Sequence, residues 1–160
     1  MKVGIITVSD KGSKGEREDL SGKAIREIVK AESYGYIVVP DEMDKISNAL
    51  IEFIDKKGCD LVITTGGTGL SPRDVTPEAT KNVIDREIPG LAEAMRMESY
   101  KIKKTALLSR AVCGSRGKSL VVNLPGSPKA VKECLAIISP VISHALEVLE
   151  KGSVECGKIV

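Results

Sequence analysis

The chain has 160 residues, 42% hydrophobic and 29% charged, with a formal net charge of +2. That balance fits one globular domain with a sizeable core. No apolar run approaches the ~20 residues that a membrane span requires, and with aromatic residues at 2% a basic nucleic-acid face with stacking platforms is excluded as well.

Met1-Lys2-Val3-Gly4-Ile5-Ile6 passes straight into a strand-like segment, without the apolar region or cleavage site of a signal peptide, so a cytoplasmic protein is expected. Val3–Val8 is a continuous apolar run, as in a strand buried on both faces. The polar stretch from Lys11 to Asp19 reads as a flexible loop. Ser21 is placed to cap a helix striped by Ala24, Ile25, Ile28 and Val29, with Gly35 at its stop. Tyr36–Val39 is a short strand closed by Pro40-Asp41. A helix from about Asp44 carries Ile46, Ala49, Leu50, Phe53 and Ile54 and ends at Gly58.

Leu61–Thr65 is the third strand and leads into Gly66-Gly67-Thr68-Gly69, three glycines in four residues. Thr76-Pro77-Glu78 then opens a helix with a threonine cap and an early proline. Ile88-Pro89-Gly90 breaks the pattern before a helix containing Leu91, Ala94 and Met95. Ala106–Leu108 reads as a short extended segment closed by Ser109-Arg110, and Gly114-Ser115-Arg116-Gly117 as a hairpin turn. Leu120–Asn123 is the last strand. After Leu124-Pro125-Gly126-Ser127-Pro128 comes a long helix from Val131 to Leu149, which Pro140 should kink or split. Residues 1–150 make a single domain and 151–160 a loose tail.

Strands alternating with helices indicate a three-layer α/β/α fold around a mostly parallel sheet. Ligands of such sheets bind beyond the carboxyl ends of the strands. The polar loops obey that rule: Ser9-Asp10, Asp41, the glycine loop with Arg73-Asp74, and Asn123 to Ser127 each follow a strand and converge on one edge.

The glycine loop leaves a bare backbone able to turn several N–H groups toward one anion. Asp41 and Asp74, after neighbouring strands, are carboxylates suited to holding Mg²⁺ against ATP phosphates, with Asp10 a third of the same kind. Arg73 and Arg110 offer planar guanidinium groups for phosphate. The Pro125–Pro128 loop presents the free N–H groups of a helix start. Gly117-Lys118-Ser119 imitates a P-loop, but Val112 stands where the motif needs its first glycine and a strand follows instead of a helix. The scattered Cys59, Cys113, Cys134 and Cys156 suggest neither disulfides nor zinc. The lone His144, on the apolar-patterned C-terminal segment, argues against histidine-based triads and multi-His metal sites and reads as structural.

The series Thr7-Val8-Ser9-Asp10, Val39-Pro40-Asp41-Glu42, Thr64-Thr65-Gly66-Gly67-Thr68-Gly69, Arg73-Asp74-Val75-Thr76-Pro77-Glu78-Ala79, Leu108-Ser109-Arg110 and Asn123-Leu124-Pro125-Gly126 resembles the Mog-type molybdopterin adenylyltransferases, relatives of the G domains of gephyrin. The resemblance spans residues 1–150 with the motifs in order. It implies transfer of AMP from ATP to the terminal phosphate of molybdopterin with Mg²⁺, a homotrimer, and a molybdenum-insertion protein as partner. It also implies that Asp41 and Asp74 are the essential aspartates and that Ser109 contacts molybdopterin. Gly67–Gly69 and Asn123–Ser127 would hold the nucleotide and the pterin. Two alternatives stay open on the residues alone: a non-catalytic molybdopterin-binding protein of the Moa type, and a nucleotide pyrophosphatase.

Overall fold

A computed structural model describes residues 1–152. Its six-stranded sheet has the order β2-β1-β3-β6-β5-β4. β1 (Lys2–Val8), β2 (Ser33–Val39), β3 (Leu61–Thr65) and β6 (Ser119–Leu124) run parallel, while β5 (Cys113–Arg116) and the short β4 (Arg86–Glu87) continue the sheet antiparallel. The helices are α1 (Asp10–Ser13, a single turn), α2 (Leu20–Ile28), α3 (Met43–Ile51), α4 (Thr76–Lys81), α5 (Pro89–Ile102) and α6 (Pro128–Lys151).

The strands are apolar on both sides because both faces are covered. Ile5, Leu61, Ile63, Leu120, Val122 and Leu124 pack under α2, α5 and α6, among Ile25, Met95, Leu135 and Ile138. Ile6, Val8, Val62 and Val121 pack on the opposite face under α3 and α4, against Ile46, Leu50, Phe53 and Ala79. The expected α/β/α layering is therefore present, built by period-2 alternation along each strand.

Several local expectations need correction. α2 is capped by Asp19, which accepts from the Ser21 and Gly22 N–H groups, and not by Ser21. Gly35 does not stop a helix; it lies inside β2, directly opposite Gly4 on β1. A Cβ on Gly4 would come 2.7 Å from the Phe53 ring and one on Gly35 3.0 Å from it, so the paired glycines make the seat for that ring. Phe53 projects from the wide helical turn Glu52–Lys56 that extends α3.

The stretch Lys104–Leu108 is a 3₁₀ turn and not an extended segment; a run of three apolar residues carries no period with which to tell the two apart. Within the expected Lys11–Asp19 loop, Asp10–Ser13 closes a helical turn capped by Ser9. α6 continues unbroken through Pro140. The proline and its neighbours Ser139 and Val141 are exposed, so water can satisfy the carbonyl that proline leaves without a donor. The expected tail begins inside α6, and residues 153–160 lie outside the described residues.

Candidate functional site

The chain lays β2 on one side of β1 and then crosses to put β3 on the other. The order in which strands are added thus reverses between the parallel β1 and β3, which is where open α/β sheets form their ligand crevice. A cleft of about 450 Å³ opens there, with Val8 at the end of β1 and Ser9 after it, Asp41 after β2, Gly66 and Gly67 after β3, and Gly126 and Ser127 after β6 in its lining. Four loops separated in sequence meet in one cleft, as their placement after strands implied.

The glycine loop takes its shape from close backbone packing. Gly66 and Gly67 have φ of +99° and +64°, which side-chain-bearing residues adopt at a cost. A Cβ on Gly66 would sit 2.3 Å from the Val8 carbonyl oxygen, and Gly126 packs against the Gly66 backbone. Thr76 does not cap its own helix; its hydroxyl donates to the Gly66 carbonyl at 2.9 Å and its N–H to that of Gly67 at 3.1 Å.

Asp41 stands beside this loop, its Oδ1 3.2 Å from the position of a Cβ on Gly67. Its other oxygen, Oδ2, accepts the Asp10 N–H at 2.8 Å, while the Asp41 N–H donates to Asp10 Oδ1 at 3.0 Å. Burial pushes the Asp41 carboxyl up; the Asp10 N–H opposes this, and the charges of Asp10 and Asp74 add to it. Asp74 is held by the Ser71 N–H, which donates to Oδ2 at 2.9 Å, and the same oxygen would lie 2.9 Å from a Cβ on Gly69.

The two arginines are already engaged. Arg73 grips Asp10 with two bonds, Nε to Oδ2 at 3.1 Å and Nη2 to Oδ1 at 2.8 Å, and this pair holds the Asp10 carboxyl below its usual range. Arg110 donates Nε to the Gly69 carbonyl at 2.8 Å, Nη2 to the Asp74 carbonyl, and Nη1 to Glu78. It braces the glycine loop from behind, and neither guanidinium lines the cleft.

Asn123 is among the residues lining the second cavity described below, and its side chain is held from within the protein. It is fully buried; its Nδ2 donates to the hydroxyls of Thr64 and Thr80, both at 2.9 Å, and its Oδ1 accepts the Val112 N–H. Its amide is committed to tying β6 to β3, α4 and the segment before β5. Ser127 begins α6 without a side-chain cap, so N–H groups of the first turn of a 24-residue helix stay available at the cleft wall.

A second cavity of about 260 Å³, more apolar, lies across the glycine loop. Thr68, Gly69, Ser109 and Pro125 line it with Met95 and Cys134. The loop and Pro125-Gly126 therefore form a partition: Gly66, Gly67 and Gly126 face one chamber, and Thr68, Gly69 and Pro125 the other.

One wall of the first cleft was missed in the sequence. It is the start of α2, where Asp19 accepts from Thr7 Oγ1 at 2.6 Å, Tyr36 OH at 2.7 Å and Ser21 Oγ at 2.8 Å. Burial disfavours the Asp19 charge, but these donors and the Gly22 N–H outweigh it and hold the carboxyl low. The signal was present, since Asp19-Leu20-Ser21 precedes an apolar stripe in the manner of a helix cap.

Among the described residues no group of three or more His, Cys, Asp or Glu side chains is arranged to hold a metal, and the described cysteines are buried free thiols, Cys113 pushed up to about 12 by burial. His144 lies on α6 outside both cavities.

Fold and cleft together define an α/β domain with its crevice at the topological switch point, and the chain belongs to the family described as "Probable molybdopterin binding domain", which matches residues 4–144. It is 47% identical over 152 residues to a protein of Helicobacter pylori named molybdopterin adenylyltransferase, covering 92% of this chain and 86% of that one. Among solved structures it superposes on the molybdopterin biosynthesis enzyme MoaB of Thermus thermophilus with a TM-score of 0.85, at 48% identity, over 95% of this chain and 97% of the other. The tungsten cofactor synthesizing protein MoaB of Pyrococcus furiosus matches with the same TM-score at 43% identity, over 94% and 97% of the two chains.

Proposed function

We propose that this chain is a molybdopterin adenylyltransferase of molybdenum cofactor biosynthesis, which transfers AMP from ATP to the terminal phosphate of molybdopterin and releases pyrophosphate. The observation that carries the reading is Asp41 Oδ1 standing against Gly67 inside the switch-point cleft, faced by the uncapped start of α6. The naming of the Helicobacter pylori relative supports it over a purely binding role.

Joining a phosphomonoester to an α-phosphorus brings anions together, so the protein must align them and neutralise charge. In this reading the triphosphate lies along Gly66, Gly67, Gly126 and Ser127, where main-chain N–H groups meet its oxygens, and Ser9 closes the β1 side. The pterin occupies the second cavity, with Ser109 and Thr68 beside its phosphate. The shared partition then presents the two phosphates to each other. The substrate's own phosphate is the nucleophile, and no covalent adenylyl-enzyme forms.

The donor set suits Mg²⁺: among the described residues Asp41 Oδ1 and Asp74 Oδ1 make no hydrogen bond, and this ion takes one or two carboxylates together with phosphate oxygens and water. When bound there it would offset triphosphate charge. Residues 1–150 form the functional unit, working in the cytoplasm as a homotrimer and passing product to a molybdenum-insertion protein. No helix among the described residues is long and apolar enough to cross a membrane.

Incubation with molybdopterin and Mg-ATP should yield adenylylated pterin and pyrophosphate in equal amounts. Pterin bound but unmodified would identify a binding protein instead. Pyrophosphate released without pterin would identify a pyrophosphatase.

A further inference from the structure

Three loops that the sheet delivers to the cleft are fastened to one another through a single side chain. Asp10 Oδ1 takes the Asp41 N–H at 3.0 Å and Arg73 Nη2 at 2.8 Å, and the Asp10 N–H donates back to Asp41 Oδ2. Asp10 thus fixes both the main chain and the carboxylate of Asp41, leaving Asp41 Oδ1 free to face Gly67. Arg73, from the glycine loop, grips both oxygens of Asp10 and locks its rotamer. Asp10 and Arg73 are both solvent-accessible, yet neither lines the cleft.

We propose that Asp10 is the positioning residue for Asp41, and that Arg73 acts through Asp10 as its anchor and not as a phosphate ligand. The proposal rests on the adenylyltransferase reading given above and assigns the two groups a role within it. The bonds lie in series, Arg73 to Asp10 to Asp41, so their removal should not be additive. A ligand to phosphate would behave differently, because its loss would weaken nucleotide binding independently of Asp10.

The test uses the full chain with molybdopterin and Mg-ATP, and variants D10A, D10N, R73A and D10A/R73A. D10A should lower kcat roughly 10- to 100-fold, as expected when a reacting group is displaced by a fraction of an ångström, with KM for ATP raised no more than several-fold. D10N keeps an oxygen opposite the Asp41 N–H and should retain most of the activity. R73A should lose less than D10A, and the double variant should be no worse than D10A. Asp10→Ser serves the same comparison if D10A does not fold.

A second readout is independent of turnover: Mn²⁺ affinity of the protein with α,β-methylene-ATP, followed by electron paramagnetic resonance. D10A should weaken it several-fold and D10N should not. Wild-type kcat and Mn²⁺ affinity in D10A would overturn the proposal. So would an ATP KM raised more by R73A than by D10A, with losses that multiply in the double variant. If the wild-type protein makes no adenylylated pterin, the adenylyltransferase reading falls, and the Mn²⁺ titration still decides the role of Asp10.

Discussion

Gly67 and Thr76 approach so closely that a Cβ on the glycine would lie 2.4 Å from the threonine hydroxyl. That hydroxyl is already bonded to the Gly66 carbonyl and cannot swing away without opening the loop. Gly67→Ala would combine this clash with a φ of +64° and push toward Asp41 Oδ1. It should cost about 1–3 kcal/mol of stability, read from urea unfolding, and abolish adenylylation. A variant with wild-type stability would show that the loop relaxes freely.

Asp74→Asn should lower turnover far more than pterin affinity. Loss of one charge that aligns the reacting phosphates should raise the barrier by about 2–4 kcal/mol. Steady-state rates combined with pterin titration measure both quantities. Unchanged turnover would remove Asp74 from the catalytic set.

Asp41→Asn should separate stability from activity. The carboxyl of Asp41 is raised in the folded protein, chiefly by burial. The folded state therefore binds the proton more tightly than the unfolded chain, and the stabilisation present at low pH is lost as pH rises through the folded value. At neutral pH the charge works against folding. The asparagine variant, still able to accept the Asp10 N–H, should melt higher than wild type at pH 7 and lose about 100- to 1,000-fold in turnover. Melting curves at pH 7 check the sign; a lower midpoint would contradict it.

Asp19 should act in the opposite direction. Its carboxyl is held low because donors from Gly22, Thr7, Tyr36 and Ser21 outweigh the burial penalty. A depressed carboxylate contributes stability above its unfolded value and loses it as pH falls through the folded one. Asp19→Asn should therefore destabilise the protein at neutral pH and flatten its acid unfolding limb below about pH 4. Melting midpoints measured down that range provide the comparison.

Arg110→Met should weaken the fold by about 1–3 kcal/mol, since it leaves the carbonyls of Gly69 and Asp74 without their donor. Its loss should lower kcat by loosening the loop, with little change in ATP KM. A large rise in that KM would restore Arg110 as a phosphate ligand.

The frame and the location of the cleft were legible because they depend on local pattern. The apolar runs that open Val3–Val8, Leu61–Thr65 and Leu120–Asn123 are short, rich in β-branched residues and each followed by a polar loop, which reads as strands buried on both faces. Partnership was not legible. Nothing near Arg73 or Arg110 indicates that Asp10, 63 positions away, or Glu78, 32 positions away, already holds each guanidinium. Asn123 reads as part of a binding loop because it adjoins Pro125, and it does line the second cavity, but its bonds to the Thr64 and Thr80 hydroxyls have no local signature. Gly35 looked like a stop because a glycine that makes room for a distant ring has no local signature.

The Phe53 ring in its bare seat has a consequence at the far end of the strands. Because Gly4 and Gly35 are the matched pair that accepts it, sliding β2 by one position would drive a side chain into the aromatic ring. β2 is the outermost strand and, among the described residues, has no strand on its other side to stop such slippage. The ring therefore works as a detent, setting the height at which Val39, and with it Asp41, emerges over the rim.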